Sequence, residues 1–148
     1  MKTITKECID KIRKNPNNKD WFNISYNYKV PENFIREFQN KVNWEYISYR
    51  QILSEEFIRE FQDKVFWEYI SYRQILSENF IREFKDKVKW IDISFHQTLT
   101  EPFILEFQDK VYWITISRNE NIKKPYSKKF QIILNEYMLI NQLQNKKF

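Results

Sequence analysis

The sequence predicts an all-α solenoid of five short helix-pair repeats closed by a long C-terminal helix. Three observations predict it. Trp21, Trp44, Trp67, Trp90 and Trp113 recur at a fixed step of 23 residues, the mark of stacked repeats whose units bury their apolar faces only against neighbours. Within each unit the apolar positions follow helical spacing. Glycine is absent from all 148 residues, so hairpin turns and phosphate-cradling loops lack their usual material.

The clearest copy runs from Ser54 to Leu76 as SEEFIREFQDKVFWEYISYRQIL. Phe57, Ile58, Phe61 and Val65 fall on one face of a 3.6-residue period and predict helix A. Thr5, Ser54, Ser77 and Thr100 precede these helices, where a side-chain oxygen can accept from free backbone N–H groups. Glu55, Glu56, Glu78 and Glu101 suit the positive helix end. Pro31 interrupts the capping pattern, while Pro102 and Pro125 fall near a first turn, where a missing N–H costs little. Helix B carries Trp67, Ile70, Ser71 and Gln74. Four residues before each Trp stands Asn17, Asn40, Asp63, Asp86 or Asp109, read as the helix B cap and the stop of helix A. A strand over VFWEYISY competes on β-branched and aromatic content, but W-x-x-I-S fits a helix better.

The units span 4–30, 31–53, 54–76, 77–99 and 100–122 of one solenoid domain, with a capping helix over 123–146. The first unit is degenerate: Cys8 replaces Phe57, Ile12 replaces Phe61, and extra residues fall around Asn15-Pro16-Asn17-Asn18. The closing helix continues through Ile133, Leu134, Tyr137, Met138 and Leu143, because a last repeat must not leave its apolar face bare.

Composition bounds the function. With 42% hydrophobic and 18% aromatic residues the chain is not of disordered type. One cysteine excludes an internal disulfide and a cysteine-built zinc site. The charged MKTITKECIDKIRKN is no signal peptide, and no run reaches the ~20 apolar residues of a membrane span. An intracellular compartment is therefore expected, with no membrane partner. The net charge of +5 divides as +3 over residues 1–33, −3 over 34–117 and +5 over 118–148. A mildly acidic body with basic ends weakens a nucleic-acid reading, which needs its basic stripe along the binding face.

The string FIREFQDKVxWxxISxxQxLSE, covering about 30–122, resembles short tandem repeats in uncharacterised proteins of giant DNA viruses infecting amoebae. The resemblance implies a viral source, with the host cytoplasm or the virion as compartment, and implies no activity. In period and helix pairing the units also look like other short α-solenoid repeats, such as leucine-rich variant repeats, without matching their residues.

The conspicuous residues read mostly as structure. The Trp ladder resembles base-stacking platforms but fits a core role, with the indole N–H finding an acceptor. The recurring serine has no His or Lys beside it at each repeat, so close helix approach with a bond to the preceding turn is the better reading. Glu37, Glu60, Glu83 and Glu106 beside Arg36, Arg59 and Arg82 predict ion pairs within and between repeats. Cys8, in a phenylalanine slot, reads as a buried small hydrophobe. No cofactor and no catalytic or metal residue is expected. His96 lacks a companion at ligand spacing.

Partner contact is expected elsewhere. Asn43, Phe66, Lys89 and Tyr112 share one variable slot, and Tyr46, Tyr69, Asp92 and Thr115 share another. A fixed frame with variable slots is how repeat scaffolds acquire a specific surface, although drift on a tolerant surface explains the same variation. Arg50, Arg73 and His96, each after an aromatic residue, form a ladder that either pairs with neighbours or contacts a ligand. The expected function is a non-enzymatic scaffold for a protein partner of unknown identity, with self-association into a homo-oligomer as one form. The alternative is a nucleic-acid-binding solenoid using the Arg/aromatic ladder and the basic ends.

Overall fold

The computed structural model describes residues 1–145. The chain divides into two compact units, Met1–Gln74 and Ile75–Phe148. In the first, β1 (Lys2–Thr3) leads into α1 (Lys6–Lys14) and α2 (Trp21–Asn27), then β2 (Tyr28–Lys29), α3 (Glu32–Glu37), α4 (Trp44–Arg50), α5 (Glu55–Glu60) and α6 (Trp67–Arg73). The second holds α7 (Glu78–Glu83), α8 (Trp90–His96), α9 (Glu101–Glu106), α10 (Trp113–Arg118) and α11 (Lys128–Asn145). From α1 to α10 the helices alternate as A and B partners of a helix-pair repeat. VFWEYISY is therefore helical and not a strand.

Helix A is shorter than its apolar period suggests. In α5 the last turn passes through Phe61 at φ −112° and ψ 28°, and the N–H groups of Lys64 and Val65 both donate to the Phe61 carbonyl at 2.9 and 3.0 Å. This turn keeps Phe61 and Val65 inward beside Phe57 and Ile58, so all four are buried. The same four positions are buried in units two, four and five, at Phe34, Ile35, Phe38 and Val42, at Phe80, Ile81, Phe84 and Val88, and at Phe103, Ile104, Phe107 and Val111. Ile47, Ile70, Ile93 and Ile116 of the B helices are wholly inaccessible. Burying one such side chain stabilises by about 1.5–3 kcal/mol.

The capping scheme splits. Thr5, Ser54, Ser77 and Thr100 accept from the backbone N–H three residues on, as expected, while Pro31 holds the same cap position without a side-chain bond. The Asx caps of helix B are a misreading. Helix B is capped at Asp20, Asn43, Phe66, Lys89 and Tyr112, immediately before each tryptophan. The turn after helix A already satisfies its last carbonyls, which leaves the Asx residues free to act between repeats. Asn17 Oδ1 accepts from Lys41 Nζ at 2.7 Å and Asn40 Oδ1 from Lys64 Nζ at 3.3 Å.

Three further expectations need correction. Cys8 is exposed, because no helix of the described residues covers the slot that a preceding repeat would cover. The C-terminal helix starts at Lys128 and not at 123. Pro125 lies ahead of the cap Ser127, whose Oγ accepts from the Phe130 N–H at 3.2 Å. Its expected end at 146 lies outside the described residues. The described residues also hold one small parallel sheet, with Lys2 opposite Tyr28 and Thr3 opposite Lys29.

Candidate functional site

The recurring polar residues form the frame on which the candidate surface sits. Ser25 and Ser48 donate to the carbonyls of Trp21 and Trp44 at 2.7 and 2.8 Å, the back-bond to the preceding turn. Each also accepts from the next repeat, from Asn43 N–H at 3.0 Å and Phe66 N–H at 2.9 Å. In the second unit Ser94 accepts from Tyr112 N–H at 2.9 Å. The serine thereby satisfies the N-cap N–H of the following B helix.

A buried glutamine closes α4, α6 and α8, at Gln51, Gln74 and Gln97. Gln51 Oε1 accepts from Val30 N–H at 3.1 Å, while Nε2 donates to the carbonyls of Ser25 and Tyr28 at 3.3 and 2.9 Å. Gln74 repeats this pattern on Leu53, Ser48 and Gln51. Position 28, where the ladder calls for glutamine, is Tyr, and there backbone pairing of β1 with β2 takes over: Ile4 N–H donates to Lys29 O at 3.1 Å. In the last repeat α10 is one residue shorter than α8, and Asn119 turns inward to donate to Ser94 O and Gln97 O, both at 2.9 Å. Asn119 thus belongs to the buried glutamine row and not to the outward slot of His96.

Carboxylates complete the frame. Glu32 Oε1 accepts from Ser54 N–H, and Glu78 and Glu101 accept from the N–H groups of Thr100 and Ser127. Arg13, Arg36 and Arg82 pair with Glu37, Glu60 and Glu106, one repeat on, at 2.7–2.9 Å. The Arg13 guanidinium, through its hydrogen bonds, holds the Glu37 carboxyl below the usual carboxylate value.

The tryptophans join repeats. Trp21, Trp44 and Trp90 lie 4.9 Å from Phe38, Phe61 and Phe107, and each indole N–H donates to the carbonyl five residues back. Four of the five indoles are half-buried; only Trp113 is fully buried. It stacks on Tyr137 of α11 at 4.3 Å with planes 7° apart.

The variable slots lie outside this frame. Asn43 caps α4 with its own Oδ1, which accepts from Tyr46 N–H at 3.1 Å. Phe66, Lys89 and Tyr112 occupy the same cap position and make no side-chain cap bond to the helix. Phe66 is 46% and Tyr112 51% exposed. Tyr46 is half-buried, edge-on to Phe22 and Tyr26. Tyr69 packs on Tyr49 and donates to Glu45 Oε1 at 3.3 Å. Partial burial first, and the Glu45 charge second, push its phenol above the ordinary range.

The Arg ladder pairs with its neighbours. Arg50 lies over Tyr26 at 4.6 Å and Tyr49 at 5.7 Å, with Nε donating to Tyr26 O at 3.2 Å. Arg73 lies over Tyr49 at 5.3 Å and Tyr72 at 5.8 Å. In the second unit the His96 ring meets Phe95 edge-on at 4.7 Å. Guanidinium between tyrosines of successive repeats is a stacked cation–π arrangement.

The inter-repeat acceptor role of the serine and the buried role of the glutamine were missed from sequence, although both residues recur at fixed register. Among the described residues no group of three His, Cys, Asp or Glu could hold a metal ion, and no helix is long and apolar enough to cross a membrane. No protein-family model, curated protein or solved structure matches the chain.

Proposed function

We propose that the chain is a non-enzymatic helical-repeat scaffold that binds a protein partner through the N-cap slots of its B helices. One observation carries this reading. Phe66 and Tyr112 hold positions where Asn43 supplies a side-chain cap, a bond whose loss costs about 0.5–2 kcal/mol, and they leave large apolar groups in solvent instead. Stability given up for an exposed aromatic is what a contact residue looks like. A photoreactive phenylalanine analogue at 66 or 112, expressed in the source cells, should trap a discrete protein adduct. Absence of any adduct at both positions, with one at a control site such as 63, removes the reading.

Self-association is the second form of the same proposal. Ile132, Leu139, Ile140 and Leu143 of α11 are all at least half exposed. Light scattering at rising concentration tests it, and a monomer throughout ends it. Nucleic-acid binding is the alternative reading, motivated by the Arg–Tyr stack and the basic ends. Affinity should then fall steeply with salt, and absence of binding at low salt removes it. A giant-virus source, with host cytoplasm or virion as compartment, belongs to the same proposal and rests on the repeat string alone.

A further inference from the structure

The first repeat departs from the pattern where the Arg ladder would continue. Asn23 stands in the slot of Tyr46, and Asn27 in the slot of Arg50. Both side chains are shorter than their counterparts, and a cleft of about 580 Å³ opens between them and the N-terminal strand. It is lined by Met1, Lys2, Asn23, Asn27, Tyr28 and Arg50. The pairing of β1 with β2 places Lys2 opposite Tyr28, so a lysine arrives at the end of the ladder where the repeat would have supplied arginine.

The cleft is rich in donors. Asn27 Nδ2 donates to Asn23 Oδ1 at 2.8 Å, which leaves the Asn23 amide nitrogen as a donor. Arg50 is held by two tyrosine rings and by its Nε bond to Tyr26 O, so the edge bearing its two terminal nitrogens is preorganised. Of the carbonyls around the end of α2, which would repel an anion, Tyr26 O accepts from Arg50, and Ser25 O and Tyr28 O accept from Gln51. None of the six lining residues is acidic.

We propose that this cleft binds the phosphate group of a small phosphorylated molecule. Lys2 and Arg50 supply two positive charges for an anion that carries close to two negative ones at neutral pH. Arginine meets it as a fork and lysine as a point charge, and Asn23 adds a neutral donor. The volume exceeds that of phosphate alone and falls in the range of small-molecule sites. The site is independent of the scaffold reading, since it uses neither Phe66 nor Tyr112.

The test is a backbone NMR titration of the full chain with inorganic phosphate and with phenyl phosphate, at constant ionic strength, with acetate as the carboxylate control. Saturable shifts confined to Lys2, Asn23, Asn27, Tyr28 and Arg50 are expected with both phosphates, tighter for phenyl phosphate. Lys2→Gln should weaken binding about tenfold, the factor for one lost charge-assisted bond. Arg73→Gln, one rung along the ladder and outside the cleft, should leave it unchanged. Arg50→Gln is informative only with a parent-like melting point, and Lys2→Gln, on an exposed side chain, keeps the test open if it unfolds. Non-saturating shifts, equal response to acetate, or equal loss in Lys2→Gln and Arg73→Gln overturns the proposal.

Discussion

Ser48 shows how much one side chain does at the residue scale. Its hydroxyl donates within its own helix and accepts the Phe66 N–H of the next repeat, so Ser48→Ala leaves a backbone donor without a partner. Such an orphan costs about 1–3 kcal/mol, and urea denaturation should show a loss of that size. A parent-like midpoint would contradict the role. The N-cap slot gives the opposite sign. Asn43→Ala should lose about 1 kcal/mol, and Phe66→Asn should gain about 0.5–1 kcal/mol by supplying the missing cap, both measurable as melting shifts. Tyr126 buries its hydroxyl without a partner, so Tyr126→Phe should be neutral or stabilising, because it removes a desolvated group and no bond. For Glu37 the pH sign follows from its partner. Its folded carboxyl titrates below the ordinary value of 4.5, held down by the Arg13 hydrogen bonds, so the pair stabilises above that range. The contribution disappears as pH falls through the lowered value. A carbon-detected NMR titration should place the Glu37 midpoint below 4.5 and return it upward in Arg13→Gln.

Six- and seven-residue helices are too short to persist alone, since nucleation outweighs the few bonds they make. What holds them is lateral. Ser25, Ser48 and Ser94 reach the next B helix, Gln51 and Gln74 bond across the end of the B helix before them, and the cap residues Ser54 and Thr100 donate their N–H groups to glutamates of the preceding repeat. The charged pairs matter less. Arg82 and Glu106 are both more than a third exposed, so Arg82→Gln should cost at most about 1 kcal/mol, well under the loss at Ser48. A larger loss, read by the same denaturation, would mean that stacking of the guanidinium on Phe103 outweighs the ion pair. The last repeat shows compensation between side chain and helix length. Asn119 is one methylene shorter than glutamine, and α10 ends one residue early, which brings the amide back to Ser94 O and Gln97 O.

Within each unit the described interactions join near neighbours, and the first and last repeats depart from the pattern in ways that follow. The first lacks the ladder glutamine and recruits a strand. The last stacks Trp113 on Tyr137 and sets it at a tilt against Phe130 of α11. The opposite side of that helix, at Ile132, Leu139 and Leu143, faces solvent. Self-association through this stripe predicts that Leu139→Glu abolishes any concentration-dependent mass in light scattering without lowering the melting point. A lowered melting point at unchanged mass would instead assign Leu139 to the fold.

The 23-residue tryptophan beat, the helical spacing of Phe57, Ile58 and Ile70, and the hydroxyl caps at Thr5, Ser54, Ser77 and Thr100 are local patterns, and local patterns are legible in a string. They determined the all-α repeat, the order of its helices and the inward face of each. Tertiary structure decided the rest. Which residue caps helix B depended on a turn that satisfies helix A by itself, so the Asx residues were released to pair across repeats. What Ser48 and Gln51 bond to lies in a neighbouring repeat, and Cys8 is exposed because nothing described lies over it. The cleft at Asn23 and Asn27 exists only because two short side chains meet a strand from the other end of their repeat. A hydrogen bond between repeats depends on register and distance in space, and neither is written in the spacing of residues along one chain.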